Sequence, residues 1–365
     1  MGKKILIRCD ASKLIGAGHV MRCVTLANEA QQRGWCSCFV MRDPDDYVIN
    51  LIRSAGHETR TLKTDTSNCA SKRSALAHSG WLPVSQYLDA SETRDVVNDF
   101  EPDWIAVDHY ALDATWHGLI KPHCENIMVI DDLGDRLLDC KILLDQNLGA
   151  NQKKYDGKVT ADCEYFLGPR FALLRQEFQN WRQKSLDRRI TGSIEKILVT
   201  MGGADPANYS VAVIRELAKS KYAAHCEFTI VVGAAYTHTS ELVDFVNSSK
   251  LQISILSNVS NMAEIMAKSD LCIGAAGSTS WERCCLGLPT ITLAIAENQK
   301  EIAKKLQIGQ VAIYSSLADL QTDFELFFDA SGKEVLNKLI ANAQVVCDGF
   351  GSPRILAELE KINEN

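Results

Sequence analysis

Several features that would place this chain in other classes of protein are missing from its sequence. Its 13 cysteines include no C-x-x-C pair, and neither the pair at 36 and 38 nor the pair at 284 and 285 has zinc-site spacing. No apolar run reaches the length of a bilayer span, and the run that Asp10 interrupts is too short for a signal peptide. Basic charge is not in excess, since the formal net charge is -7. These absences predict a cytoplasmic protein with reduced thiols, and they argue against nucleic acid and membranes as partners.

The order of apolar and amphipathic segments predicts two domains of one architecture. A chain of 365 residues exceeds what one hydrophobic core usually serves. Apolar runs alternate with helical periodicity, which is typical of a parallel sheet covered by helices on both faces. A polar stretch at 187–193 resembles a linker, and the pattern restarts after it. We therefore expect two doubly wound, Rossmann-like α/β domains, residues 1–186 and 193–365, with a ligand cleft between them and the last helix packing back on the first domain.

The individual elements can be predicted from the same pattern. In the first domain, strands are predicted at 4–9, 36–41, 104–108, 126–131 and 142–145, and helices at 20–33, 45–55 and 91–100. In the second, strands are predicted at 196–201, 227–232, 253–256, 271–274 and 290–293, and helices at 210–220, 241–248, 262–269 and 280–286. The polar stretch at 57–85 predicts a mixed region.

A glycine-rich turn that carries a histidine follows the first predicted strand. Gly16 and Gly18 frame the turn, and His19 stands where the next helix begins. Backbone N–H groups at a helix start, together with the helix dipole, favour a bound anion. A histidine beside that anion can take or give a proton. The alternative is an incidental surface histidine, and a second anion loop farther along the chain favours the chemical interpretation.

That second glycine-rich turn lies at 274–280, again between a predicted strand and a predicted helix. Its small residues allow a diphosphate to approach the backbone. Glu282, within the first helical turns, can accept two hydrogen bonds from a ribose diol. Alternatively, Glu282 only complements the helix dipole. The turn is not followed by a Walker lysine, which disfavours ATP hydrolysis.

Further candidates stand at the ends of other predicted strands. The stretch at 202–206 makes either a tight turn or a wall of a nucleotide pocket. The side-chain amides of Asn298 and Gln299 can bind sugar hydroxyl or acetamido groups, unless they only open a solvated helix. Stretches 108–110 and 131–132 supply acids and a histidine to the first domain. Adjacent carboxylates in a strand point to opposite faces, so we predict no metal site there. We also predict no cofactor. The histidines at 57, 78, 117, 123, 225 and 238 have no neighbours that suggest chemistry and are predicted to be structural.

Together these motifs resemble a known group of nucleotide-sugar enzymes. Ile15-Gly16-Ala17-Gly18-His19 and Gly274-Ala275-Ala276-Gly277-Ser278, followed by Glu282, Gly287-Leu288-Pro289 and Asn298-Gln299, resemble the two-domain GT-B enzymes, the class that contains the lipid II-forming N-acetylglucosaminyltransferase. A closer resemblance, from about 5 to 354, is to the UDP-sugar hydrolases of the pseudaminic acid pathway. Its motifs are Asp10-Ala11-Ser12, His19-Val20-Met21-Arg22-Cys23, Val107-Asp108-His109-Tyr110, Ile130-Asp131-Asp132-Leu133, Asp145-Gln146-Asn147, Gly168-Pro169-Arg170-Phe171-Ala172-Leu173-Leu174-Arg175 and Gly202-Gly203-Ala204-Asp205-Pro206.

The resemblance implies roles for the matching residues. His19 matches the catalytic base, and Glu282 matches the contact to ribose. The uracil edge would meet the backbone near Val259, by analogy with the transferase. The implied substrate-binding residues are Gly16, Gly18, Arg22, Tyr110, Val259, Gly277, Ser278, Glu282, Asn298 and Gln299.

The activity implied is hydrolysis of UDP-2,4-diacetamido-2,4,6-trideoxy-β-L-altropyranose at the anomeric C–O bond, with inversion and release of UDP. Such an enzyme would serve pseudaminic acid biosynthesis for flagellin or a surface glycan, and we predict that it acts as a monomer on a small-molecule UDP-sugar. Two alternatives remain open: a GT-B glycosyltransferase that uses a UDP-sugar donor, and a nucleotide-sugar-binding protein without turnover. The polar stretch at 64–85 is longer than the family requires, and its role is open.

Overall fold

Residues 2–12, 14–64, 76–189 and 194–362, which the computed structural model describes, form two separate parallel sheets, each flanked by helices. The first unit comprises Met1–Leu173 and Phe350–Asn365, and the second comprises Leu174–Gly349. The predicted class, two doubly wound α/β domains, is therefore confirmed. None of the described helices combines the length and the hydrophobicity that crossing a membrane requires.

The first unit is built on a seven-stranded parallel sheet in the order β3-β2-β1-β4-β5-β6-β7. Its strands are β1 (Lys4–Cys9), β2 (Cys36–Arg42), β3 (Glu58–Leu62), β4 (Trp104–Asp108), β5 (Ile127–Ile130), β6 (Ile142–Asp145) and β7 (Glu164–Leu167). Its helices are α1 (Gly18–Gln32), α2 (Asp46–Ser54), α3 (Gln86–Phe100), α4 (Ala114–Ile120) and α13 (Gly351–Ile362).

Both faces of the first sheet are buried, which explains the apolar run at 5–7 of β1. Side chains alternate along a strand, so Ile5 and Ile7 pack with residues of α1, α2 and α13, whereas Leu6 packs with residues of α3 and α4. All three are fully buried. The central strands thus hold their carboxyl ends rigidly at one edge of the sheet.

Helix α13 returns from the end of the second unit to pack on the first. A Cβ atom at Gly351 would lie 2.2 Å from the carbonyl oxygen of Ala172, so only glycine allows the helix to start this close to the backbone. Farther along, the Trp104 indole N–H donates to the carbonyl oxygen of Leu359 at 3.2 Å. These contacts place 350–362 in the first unit.

The second unit contains a six-stranded parallel sheet in the order β10-β9-β8-β11-β12-β13. Its strands are β8 (Lys196–Thr200), β9 (Glu227–Val232), β10 (Gln252–Ser257), β11 (Leu271–Ala275), β12 (Thr290–Leu293) and β13 (Ile313–Ser315). Its helices are α5 (Gln176–Arg189), α6 (Tyr209–Leu217), α7 (Thr239–Ser248), α8 (Met262–Lys268), α9 (Thr279–Cys285), α10 (Lys300–Ile308), α11 (Leu320–Glu325) and α12 (Gly332–Val346).

A buried arginine ties α5 to the second unit. The Arg189 guanidinium donates to the carbonyl oxygens of Met266, Ser269 and Leu286 at 3.1, 2.8 and 3.0 Å. These carbonyls lie at the C-terminal ends of α8 and α9, where carbonyl oxygens have no N–H donor within the helix. Residues 187–189 are therefore the last residues of a helix and not a linker, which corrects the prediction for 187–193, and 190–193 lie outside the described residues.

The units divide between Leu173 and Leu174, whereas the predicted domains were 1–186 and 193–365. Strands β3, β7 and β13 were absent from the predicted set, and all three lie at a sheet edge.

Candidate active site

The glycine-rich turn after β1 brings His19 to the carboxyl end of the first sheet. The turn closes where the N–H of Gly16, at a φ of 79°, donates to the Ser12 carbonyl oxygen at 2.8 Å. Helix α1 begins at Gly18, so His19 lies in its first turn. Because β1 and β4 are hydrogen-bonded neighbours, residues that end either strand reach the same edge of the sheet.

Asp108, the last residue of β4, orients the His19 ring. Its Oδ1 lies 2.6 Å from His19 Nδ1. An ionised carboxylate can only accept a hydrogen bond, so Nδ1 carries the ring proton and Nε2 bears the lone pair. Nε2 makes no hydrogen bond to any residue in the described part of the chain. With Nδ1 bound to Asp108, Nε2 is the nitrogen of the ring that can take a proton.

Arg22 keeps Asp108 ionised. Its Nε donates to Oδ2 at 2.6 Å and its Nη2 to Oδ1 at 2.5 Å, a bidentate pair. Burial by itself would raise the pKa of Asp108, but the Arg22 charge and the hydrogen bonds from Arg22 outweigh it and hold that pKa well below its usual range. Asp108 is thus a permanent acceptor for the Nδ1 proton near neutral pH.

Two stacked aromatic rings stand beside His19. The Trp81 and Tyr110 ring centroids lie 5.1 Å apart with an interplanar angle of 24°. His19 meets both edge-on, at 4.8 Å from Tyr110 and 5.4 Å from Trp81. His78 also packs edge-on against both, at 4.9 Å from Trp81 and 5.4 Å from Tyr110. His78, which the sequence left without functional neighbours, therefore belongs to this cluster.

The Tyr110 ring is fixed from its hydroxyl end. The hydroxyl donates to Asp132 Oδ1, and Asp132 Oδ2 accepts from Asn147 Nδ2 at 3.0 Å. Burial raises the pKa of Tyr110 well above its usual value, and the Asp132 charge reinforces this. The phenol therefore stays protonated and keeps donating to Asp132.

The two adjacent carboxylates at 131–132 have separate partners. Asp131 pairs with Arg136 Nη1 at 2.6 Å and accepts from the N–H groups of Leu133 and Gly134 at 3.1 and 2.8 Å. Asp132 instead reaches the cluster at His19 through Tyr110. Within the described ranges, no group of three or more His, Cys, Asp and Glu side chains is arranged to hold a metal ion.

A buried ionic network supports the same edge of the sheet. Arg8, fully buried on β1, donates to Asp10 at 2.5 Å and to Asp89 at 2.8 Å, and Asp89 also accepts from Arg42 at 3.0 Å. His109 Nε2 lies 3.1 Å from Asp10. Burial opposes ionisation of both carboxyl groups, but the Arg8 charge lowers the pKa of Asp10 and of Asp89. His109 thus contacts a structural carboxylate.

In the second unit, the predicted diphosphate turn joins β11 to α9 above a buried arginine. Arg283 donates to the Ala275 carbonyl oxygen and to Ser280 Oγ, each at 2.9 Å. A Cβ at Gly274 would lie 2.4 Å from Arg283 Nη1, so glycine at 274 makes room for the guanidinium. Gly277 and Ser278 complete the turn. A positive charge beneath the turn favours an anion above it.

Glu282 lies in α9 and is held by an arginine. Its Oε1 is 3.5 Å from Arg175 Nη2, while Arg175 Nη1 is 3.0 Å from Glu177. Burial raises the pKa of Glu282, and the Arg175 charge opposes that rise. The side chain as a whole keeps 16% of its surface exposed.

The other predicted contacts of the second unit follow different strands. Val259 is half-buried after β10, at the outer edge of the sheet. Asn298 and Gln299 lie in the 3-10 turn Glu297–Gln299 after β12. Gln299 Oε1 accepts from the Ile295 N–H at 3.0 Å, so its carbonyl oxygen shapes the loop.

The stretch at 202–206 lies in the eight-residue connection between β8 and α6. Asp205 is buried and accepts from the N–H groups of Tyr209 and Ser210, each at 2.8 Å, which caps α6. A Cβ at Gly233 would lie 2.3 Å from the Gly203 carbonyl oxygen. The loops after β8 and β9 therefore touch backbone to backbone.

Comparison with known proteins matches residues 197–324 to the glycosyltransferase family 28 C-terminal domain. An uncharacterized protein of Methanocaldococcus jannaschii is 26% identical over 306 residues, which make up 82% of this chain and 57% of that protein. The chain thus spans little more than half the length of that relative. The UDP-2,4-diacetamido-2,4,6-trideoxy-beta-L-altropyranose hydrolase of Campylobacter jejuni is 23% identical over 302 residues, 82% of this chain and 94% of the hydrolase.

The crystal structure of MurG from Acinetobacter baumannii matches with a TM-score of 0.66 at 13% identity, covering 98% of this chain and 99% of that one. With two parallel-sheet units and the glycosyltransferase domain match, this establishes a GT-B fold, as the motifs predicted.

Proposed function

We propose that the chain is an enzyme that acts on UDP-sugars and, more specifically, hydrolyses UDP-2,4-diacetamido-2,4,6-trideoxy-β-L-altropyranose at the anomeric C–O bond. The observation that carries the proposal is His19, with Nδ1 held by Asp108 and Nε2 free to take a proton. The similarity to the Campylobacter jejuni hydrolase over 82% of this chain supports the choice of substrate.

The chemistry needs one base in the first unit. His19 Nε2 takes a proton from water as the water oxygen attacks the anomeric carbon. The C–O bond to the diphosphate breaks and UDP leaves with the bonding electron pair, which requires little acid assistance. A single displacement from the face opposite the leaving group inverts the anomeric configuration. Asp108 stabilises the imidazolium that forms and holds the ring in place.

The second unit would bind the UDP portion. The turn of Gly277 and Ser278, with Arg283 beneath it, would stabilise the charge that grows on the diphosphate. Glu282 would accept the ribose hydroxyl groups, and the backbone near Val259 would meet the uracil. Asn298 and Gln299 would contact the sugar. This arrangement needs no divalent cation, so UDP release is expected to continue in excess EDTA.

The direct test is incubation of the protein with a panel of UDP-sugars and no acceptor. We expect UDP release from the diacetamido-trideoxy substrate, with NMR showing the inverted free sugar as the first product. Binding of the UDP-sugar without any release of UDP would contradict hydrolysis and leave two alternatives, a glycosyltransferase that needs an acceptor and a binding protein without turnover.

A GT-B glycosyltransferase is the second candidate, and the match of 197–324 to the glycosyltransferase family 28 C-terminal domain favours it. In that case an acceptor hydroxyl would replace water, and UDP would appear only when an acceptor is added. The monomeric state and the location in the cytoplasm also stay predictions.

A further inference from the structure

We propose that Trp81 determines sugar specificity, its indole forming the surface on which the sugar lies beside His19. This inference rests on the proposed function, because it assumes that the sugar of a UDP-sugar occupies the first unit. Trp81 belongs to the polar stretch at 64–85, which matched none of the motifs discussed above.

Geometry places the Trp81 indole within reach of any ligand of His19. The His19 and Trp81 ring centroids are 5.4 Å apart, with an interplanar angle of 81°. Tyr110 stacks on the indole, His78 and His109 pack edge-on against it, and the residue as a whole is half-buried. A ring bound for attack near His19 therefore meets aromatic carbon on this side.

The indole is held in place before any ligand arrives. Trp81 ends the 3-10 turn Ser79–Trp81, and its backbone N–H donates to the His78 carbonyl oxygen at 2.9 Å. Leu82 and Val84, which follow it, are each only 7% exposed and pack in the core beneath α3 and α4. Ser85 then caps α3 by accepting from the Leu88 N–H at 3.2 Å.

A flat apolar surface selects among sugars by their C–H faces and methyl groups. The gain in binding free energy is largest for a sugar ring in which hydroxyl groups are replaced by a deoxy methyl group or by acetamido groups. The methyl groups of these substituents lose little hydration when they contact the indole. A sugar rich in hydroxyl groups would leave polar atoms unpaired against the indole. We therefore assign to Trp81 the preference for 6-deoxy, N-acetylated sugars.

The test separates sugar binding from nucleotide binding. In a His19→Asn background, which prevents turnover, calorimetry gives the affinity for UDP and for the diacetamido-trideoxy UDP-sugar, and their ratio measures the sugar contribution. Adding Trp81→Ala is expected to reduce that ratio about 10-fold to 100-fold while the affinity for UDP stays within about twofold. Trp81→Phe is expected to restore most of the ratio, because a smaller aromatic face remains.

Trp181 supplies a matched control, since it is a half-buried tryptophan in the other unit, flanked by Lys184 and Lys268. Trp181→Ala is expected to leave the sugar contribution unchanged. An unchanged ratio in a folded Trp81→Ala protein overturns the inference, as does an equal loss for UDP alone. Failure of the proposed function looks different: the protein with His19 intact would release no UDP, although Trp81→Ala would still reduce the sugar contribution.

Discussion

Replacement of Asp108 by Asn tests how His19 acquires its basic nitrogen. The carboxylate accepts the Nδ1 proton at 2.6 Å and binds Arg22 through both oxygens. An amide nitrogen placed at Oδ1 would donate to Nδ1, and the ring proton would then move to Nε2. The imidazole ring would stay in place, but Nε2 would carry the proton and could no longer act as a base. We expect kcat for UDP release to fall about 10²-fold to 10⁴-fold, the usual contribution of a positioned base.

The same variant also disturbs a buried ion pair. Breaking such a pair on one side costs about 3–5 kcal/mol, and the amide keeps one acceptor for Arg22, so a loss toward the lower end is expected in the free energy of unfolding. Urea unfolding measures this loss, and kcat is compared only under conditions where the variant is folded.

Asp131→Asn is the matched control. Asp131 is equally buried in the first unit and pairs with Arg136 at 2.6 Å, without touching His19. Both variants are expected to lose stability, and only Asp108→Asn is expected to lose kcat beyond a few-fold. A folded Asp108→Asn protein with near-normal kcat would refute the role of Asp108, and so would an equal loss of kcat in Asp131→Asn.

Three further predictions concern the nucleotide, the second unit and acid. Glu282→Ala should weaken UDP binding by about 1–3 kcal/mol, the cost of a lost charged hydrogen bond, and unchanged affinity by calorimetry would remove Glu282 from the site. Arg189→Met leaves the C-terminal carbonyls of α8 and α9 without their donor and should lower the free energy of unfolding by about 2–4 kcal/mol in urea titrations; no change would contradict its capping role. Asp10, Asp89 and Asp108 all have lowered pKa values in the folded state. They stabilise the fold above their unfolded pKa of about 3.9 and lose that contribution as the pH falls further, so the free energy of unfolding should drop steeply below about pH 4, and a flat profile there would argue against these pairs.

The sequence was most informative where strands are buried on both faces. Strands β1 and β4 were predicted to the residue, because their apolar runs end sharply at polar residues. Strand β3, ETRTL, pairs only with β2 at the sheet edge and keeps mostly exposed residues, so it carries no apolar run. Helix α5 was missed for a related reason, since most of its residues are polar, and its last three residues were assigned to the predicted linker at 187–193.

Residues of the candidate site could likewise be predicted where they lie at the ends of buried strands. His19 and the 108–110 stretch follow neighbouring parallel strands, so the sequence could place them together. Trp81 lies in the segment between β3 and α3. That segment has no hydrophobic periodicity from which the position of the Trp81 side chain could be predicted. Arg283 lies in α9 and donates back to the turn at 274–280. The sequence pattern does not indicate that this arginine is buried.

The most direct test of the central claim is the fate of oxygen from H₂¹⁸O during turnover. If His19 activates water for attack at the anomeric carbon, mass spectrometry should find one ¹⁸O atom in the released sugar and none in UDP, and His19→Ala should slow this incorporation about 10²-fold to 10⁴-fold. Label in the terminal phosphate of UDP would mean attack at phosphorus. That result would contradict anomeric hydrolysis by His19, even if replacement of His19 abolished activity.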